Sequence, residues 1–246
     1  MINGIKNIGE YFIMMKKVIS RPEKYSIFFK QLGLELQKIG IGSIGIVFIL
    51  SFFVGSVVTI QQAINISNPI LPKYLIGLVT RDAIILEFSP TMIVLILAGK
   101  VGSNIASEIG TMRVTEQIDA LEIMGINSAS FLVMPKIIAA IIFFPILIIF
   151  SMTIGMIGGW VGGQSIGVNT SDFMLGLQYA FIPYYVTYAI IKTIVFAFII
   201  TSVSSYFGYS TKGGALNVGI SSTKAVVYSS ILILIFNFIL TKLILS

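Results

Sequence analysis

The stretch GSNIASEIGTMRVTEQIDALEIMG, residues 102–125, carries four carboxylates, Glu108, Glu116, Asp119 and Glu122, between flanks so apolar that only lipid accommodates them. Val114, Ile118 and Leu121 recur at i, i+4 and i+7, while Glu116, Asp119 and Glu122 recur every third position. Gly125 follows as a helix stop. This pattern predicts a short amphipathic helix over 114–124 with an acidic face. An anionic leaflet repels three carboxylates, so the face favours a soluble protein surface over lipid as its partner. The reading that follows is a membrane protein driven by another polypeptide.

Composition sets the class. Hydrophobic residues make up 56% of the 246 residues, charged residues 11%, and the mean hydropathy is +0.99. A soluble globule built this way lacks the polar surface to cover itself. Cysteine and histidine are both absent, which removes thiol nucleophiles, disulfides, histidine ligands and histidine bases together. A metal site would have to be all-oxygen, and no catalytic, metal or cofactor residue is nominated. The net charge of +6 is modest, and seven of the sixteen basic residues precede residue 39. The excess marks one end of the chain rather than a nucleic-acid surface, so no nucleic-acid partner is expected.

The first residues do not read as a secretory signal, because Lys16, Lys17, Arg21, Lys24, Lys30 and Lys38 interrupt the apolar run such a signal needs. Ile5, Ile8, Phe12, Met15 and Ile19 instead recur at helical spacing, with Lys6, Lys16 and Lys17 off that stripe. This predicts an amphipathic helix lying on the membrane face within residues 1–30.

A span needs about 20 residues to cross about 30 Å of hydrocarbon. The charge-free run 39–72 holds one span, closed by the turn residues of Asn65–Pro72. A second span is expected over about 74–106, crossing Arg81, Asp82, Glu87 and Pro90. A third begins near Phe131 and ends where the glycines of 159–167 loosen the chain. Lys192 divides the next 39 residues into two runs of 19, too short for two spans and a turn, so one helix over 173–206, bent near Pro183, is expected. The last span is placed at 225–241, with Ser221, Ser222 and Thr223 as caps. The fold class is thus all-α: a polytopic membrane protein of about five transmembrane helices, single-domain over 1–246. Five spans put the termini on opposite sides. Basic residues of the N-terminal segment and of the 206–224 loop place the N-terminus and the 107–130 stretch in the cytoplasm and the C-terminus outside.

The string AGKVGSNIASEIGTMRVTEQIDALEIMG, Ala98–Gly125, closely resembles the signature of MlaE-type permeases, membrane subunits of ABC transporters that work with MCE proteins on phospholipids. GYSTKGGALNVGISSTKAVVYSS, Gly208–Ser230, and NFILTKL, Asn237–Leu243, look like the closing segment of the same family. With LEFSP, Leu86–Pro90, and the order of spans, the similarity covers nearly the whole chain. There is one departure: many members carry Arg-Glu-Leu-Gly-Pro where this chain has Leu86-Glu87-Phe88-Ser89-Pro90. An arginine beside the glutamate is missing, and Arg81 stands one and a half turns earlier.

The resemblance implies a homodimer in the cell inner membrane, with a periplasmic C-terminus, a cytoplasmic ABC ATPase subunit on each protomer and MCE-domain partners on the outer side. It also implies that 109–125 holds the coupling helix, with Glu116, Gln117, Asp119, Ala120, Glu122 and Met124 as ATPase-coupling residues. No phosphate-cradling G-x-x-x-x-G-K-[ST] occurs, since Gly99-Lys100 is followed by Val101. ATP and magnesium are therefore expected on the partner, no cofactor on this chain, and no catalysis by it. Glu87, Arg81 and Pro90 are the lipid-path candidates, because a carboxylate at membrane depth costs roughly 2.5–3.5 kcal/mol on insertion scales. A structural reading of Glu87, satisfied by Lys100, Lys192 or a backbone amide, stands beside the functional one. The alternative class is a secondary transporter or channel using Glu87, Lys192 and Arg81 as ion-path residues, but no repeated half of the chain supports it.

Overall fold

In lipid a backbone has no water to bond, and a helix satisfies its own N–H and C=O groups along its length. The computed structural model describes residues 2–19, 25–66 and 70–245. It is 89% helical, with no strand among the described residues. Five helices are long and apolar enough to cross a membrane: α2 (Tyr25–Asn65), α3 (Tyr74–Val114), α5 (Ser128–Ser165), α7 (Tyr184–Tyr209) and α8 (Ala215–Leu245). Three shorter ones complete the set: α1 (Ile2–Val18), α4 (Gln117–Ile123) and α6 (Thr170–Gln178). At 41 residues each, α2 and α3 extend about 60 Å, twice the hydrocarbon thickness of about 30 Å. Their charged ends can therefore stand clear of the acyl chains.

Helix α1 has the amphipathic character read from its spacing. Ile8, Phe12, Ile13 and Ile19 are exposed while Met14, Met15 and Val18 are buried. Met15 thus faces inward rather than sharing the outer stripe. The side chains of Ile5 and Lys6 lie outside the described residues, as do Arg21, Lys24 and Ser67–Pro69 of the turn after the first span.

Four expectations change. The second span does not stop at residue 106 or break at Pro90: α3 continues to Val114, and Pro90 sits inside a π-helical segment, Ile84–Ile93, whose wider turns absorb the missing N–H. The glycines near 159 do not loosen the third span, which stays helical to Ser165. The fourth span is not one bent helix from 173 to 206. Helix α6 ends at Gln178, Ala180 takes a left-handed φ of 47°, and α7 starts at Tyr184 directly after Pro183, a residue that tolerates a helix start but not an interior. Finally, Ser221–Thr223 cap nothing: α8 begins six residues earlier, after a turn in which Gly213 takes a φ of 100° and Asn217 Nδ2 donates to the Lys212 carbonyl.

By contacts the chain forms two compact units, the first comprising residues 1–42, 95–143 and 195–246, the second 43–94 and 144–194. In the second unit glycines form a seam. A Cβ on Gly55 would stand 1.9 Å from the Gly155 carbonyl oxygen, one on Gly158 2.1 Å from the Phe52 oxygen, and one on Gly162 2.7 Å from Ser56 Cα. Backbones of α2 and α5 touch directly there, which is how helices associate in lipid without a hydrophobic drive. Ser56 Oγ donates across the seam to the Gly158 carbonyl at 2.7 Å. Helix α6 closes on the start of α3 in the same manner through Gly77 and Gly176, over a small core of Ile76, Val168 and Phe173. In the first unit, Ser103 and Ser222 share a 2.8 Å hydrogen bond between α3 and α8, and Tyr11 of α1 donates to Ser202 Oγ of α7 at 2.9 Å.

Candidate functional site

Two polar centres stand out, one in each unit. In the second unit, Lys192 is fully buried on α7, and its Nζ donates to Glu87 Oε1 at 2.9 Å and to the Leu86 carbonyl at 3.3 Å. The ammonium also lies 4.6 Å from the centroid of the Tyr188 ring, one turn back on its own helix. Glu87, in the first turn of the π segment, takes a second hydrogen bond from Thr91 Oγ1 at 2.9 Å, yet its side chain is 44% exposed. The pair is lopsided: the cation is sealed and the anion is half open. Lys192, one of the partners considered for Glu87, is the one the structure supplies.

Arg81, only 3% exposed, has other work. Its Nη1 donates to the Leu177 and Tyr179 carbonyls at 3.0 and 2.7 Å, and its Nε and Nη2 both reach Asp82 Oδ1 at 2.9 Å. These carbonyls end α6 and have no helical partner of their own, so Arg81 caps that helix and fixes the turn leading to α7. Pro90 is buried within the π segment.

In the first unit, α3 ends at Val114 and the chain reverses through Glu116, whose φ of 58° is left-handed, a conformation seldom held by a residue with a Cβ. Helix α4 then runs with Ile118 fully buried beneath it. The acidic residues do not share one fate. Arg113 Nη1 donates to Asp119 Oδ1 at 2.6 Å, while Tyr209 and Ser128 donate their hydroxyls to Glu122 Oε1 at 2.7 and 2.9 Å. Those two hydroxyls hold the Glu122 carboxyl below the usual carboxylate range. Asp119 and Glu122 thus pin α4 to the body. The outward surface carries Glu116, Gln117, Ala120, Ile123 and Met124, with Ile123 at 87% exposure and Met124 at 65%.

Sequence spacing did not reveal a third feature, also in the first unit. Lys136, near the start of α5, bonds Glu35 of α2 at 2.6 Å and Glu108 of α3 at 2.8 Å, and Glu108 in turn takes Lys38 at 3.1 Å. Lys100 donates to the Gly42 carbonyl beside it in sequence order along α2. In the second unit, buried Ser51, Ser151 and Ser89 form a hydroxyl relay at 2.8 and 3.0 Å linking α2, α5 and α3. The available signal was a lysine and three serines inside apolar runs; what they pair with lies 28 to 101 residues away.

Five spans, a charge pair sealed at membrane depth and a short helix pinned beyond the second span describe a multi-pass membrane transport subunit. The comparisons with known proteins agree. Residues 32–243 match the family Permease MlaE. The chain is 38% identical to a probable ABC transporter permease protein of Rickettsia bellii, over 97% of this chain and 92% of that one. It is 38% identical to another so named from Synechocystis, over 85% and 80% of the two chains. It is also 33% identical to the protein TRIGALACTOSYLDIACYLGLYCEROL 1, chloroplastic, of Arabidopsis thaliana, over 94% of this chain and 66% of that protein. This chain belongs to the MlaE permease family and is the membrane subunit of an ABC transporter, a system whose ATPase is a partner polypeptide.

Proposed function

We propose that the chain is the non-catalytic permease of a transporter that moves phospholipids between the inner membrane and MCE-domain proteins, working as a homodimer. The observation that carries this reading is Glu87: a half-open carboxylate within a span, oriented by a sealed lysine, in a chain of this family. Such a group meets polar headgroup atoms at the cost of no further desolvation of its partner. The printed name of the Arabidopsis relative, a galactosylated diacylglycerol, supports a glycerolipid cargo. Only 11% of the apolar window of α8 and 28% of that of α2 is covered by the chain itself, leaving surface for a second copy and for lipid. The N-terminus faces the cytoplasm and the C-terminus the periplasm in this reading. A reporter fused after residue 246 that is active in the cytoplasm overturns that orientation.

The ATPase docks on α4 and binds ATP and magnesium itself. Glu116, Gln117, Ala120 and Met124 meet it, joined by Ile123, while Asp119 and Glu122 contribute by keeping α4 seated. The test is lipid transfer by the reconstituted transporter. A Glu87→Gln variant is expected to assemble and to transfer lipid slowly; transfer at the wild-type rate removes Glu87 from the path. A Met124→Asp, Ile123→Asp variant is expected to lose the co-purifying ATPase, and retention of a fully stimulated ATPase refutes the docking face.

A further inference from the structure

We infer that the first unit holds a second, cargo-independent site, for the headgroup of an anionic phospholipid, in a cavity where α1, the end of α3 and the turn after α7 meet. The cavity measures about 270 Å³. Lys17 from α1, Arg113 from α3 and Lys212 from the turn line it, against the single carboxylate of Glu10, to which the Tyr206 hydroxyl donates at 3.4 Å. Three cations supplied by three separate elements around one concave space form the setting that a phosphate diester satisfies. An adjoining hollow of about 320 Å³ shares Lys17 and Tyr209 with it, giving room for a glycerol moiety.

Its position selects a lipid over a soluble anion. Ile13 lines the cavity and is 62% exposed on the same helix whose apolar residues Ile8, Phe12 and Ile19 also face outward. A headgroup seated between the lysines can leave its acyl chains lying along that apolar face, so one molecule uses both surfaces. Arg113 stands at the cavity wall while its Nη1 holds Asp119 of α4, and its guanidinium lies 5.8 Å from the Tyr209 ring centroid. An occupied site therefore borders the residue that seats α4.

Native mass spectrometry of the full chain in a neutral detergent tests this, with dioleoyl phosphatidylglycerol, dioleoyl phosphatidylcholine or inorganic phosphate added at matched concentration. Phosphatidylglycerol is expected to be retained in preference to phosphatidylcholine. Lys17→Gln and Lys212→Gln are each expected to weaken that retention about fivefold, as one cation near an anionic surface does. Lys16→Gln removes the same charge from the same helix outside the cavity and is expected to leave retention unchanged. Inorganic phosphate bound with the same dependence on Lys17 and Lys212 while phosphatidylglycerol is not would assign the same chemistry to a soluble source. Equal retention of the two lipids with no phosphate binding, or a Lys16→Gln loss matching that of Lys17→Gln, overturns the site. Because the readout is binding alone, a failure of lipid transfer leaves it standing.

Discussion

The lopsided burial of Lys192 and Glu87 leads to an unequal pair of mutational costs. Glu87→Gln keeps the side-chain shape but strips the counter-charge from an ammonium that is fully buried, leaving it the Leu86 carbonyl at 3.3 Å and the Tyr188 ring. Breaking a buried pair from that side costs about 3–5 kcal/mol, the carbonyl and the ring drawing it toward the lower figure. Lys192→Met leaves a carboxylate that is 44% exposed and still bonded to Thr91; the loss is about one charge-assisted hydrogen bond, roughly 1.5 kcal/mol. The double variant buries no unpaired ion and should lie close to Lys192→Met, giving a coupling of about 2–3 kcal/mol in a double-mutant cycle. Unfolding free energies in bilayer-like micelles, measured by steric trapping for all four proteins, decide the matter. Equal costs for the two single variants, or a double variant whose cost is their sum, would refute the asymmetric pair.

Gly158→Ala places a methyl 2.1 Å from the Phe52 oxygen and should destabilise the chain by about 1–3 kcal/mol, whereas Gly99→Ala, with nothing within 4 Å of its Cβ, should not; thermal unfolding of both variants compares them. Arg81→Gln frees the Leu177 and Tyr179 carbonyls and should raise hydrogen exchange through residues 177–186 by local fraying, with α8 unaffected. Because the Glu122 carboxyl is held below its ordinary value, its ionised form stabilises the α4 attachment above the usual carboxylate range. That contribution fades as pH falls through the depressed value. Hydrogen exchange in 115–125 should therefore rise on acidification from pH 7 toward 4, and Glu122→Gln should flatten this dependence; a variant with the wild-type profile rules Glu122 out as its origin.

The spans were legible because length and the absence of charge are local properties, and lipid imposes both. The same locality explains what was misread. Gly158, Gly159, Gly162 and Gly163 weaken a helix in isolation, but in α5 they are what lets α2 come to backbone contact, a gain that no single segment displays. Ser221–Thr223 have cap chemistry, yet α8 starts earlier and Ser222 turns its hydroxyl to Ser103. The acidic periodicity of Glu116, Asp119 and Glu122 marks a real helix, but which carboxylate looks outward depends on Arg113, Ser128 and Tyr209, the last of them 87 residues from its partner. Arg81 was visible as a charge within a span; its role as a cap for α6 needed the break at Tyr179–Pro183, which the expected continuous helix concealed.

The π-helical segments of α2 and α3 make residue count itself a structural variable. Leu36–Ile41, Ile84–Ile93 and Ala98–Gly102 close wider rings than the turns around them. Excising one residue from Ile84–Ile93 and letting the ladder revert to α-helix would spin everything downstream by about 100° and shorten the rod by about 1.5 Å. Lys100, Ser103, Glu108 and Arg113 would all be swung off their acceptors by a deletion that removes none of them. In this chain a single-codon deletion inside LEFSP is thus the equivalent of a wholesale rewiring of the span's far end, and a compensating insertion a few positions along would restore it.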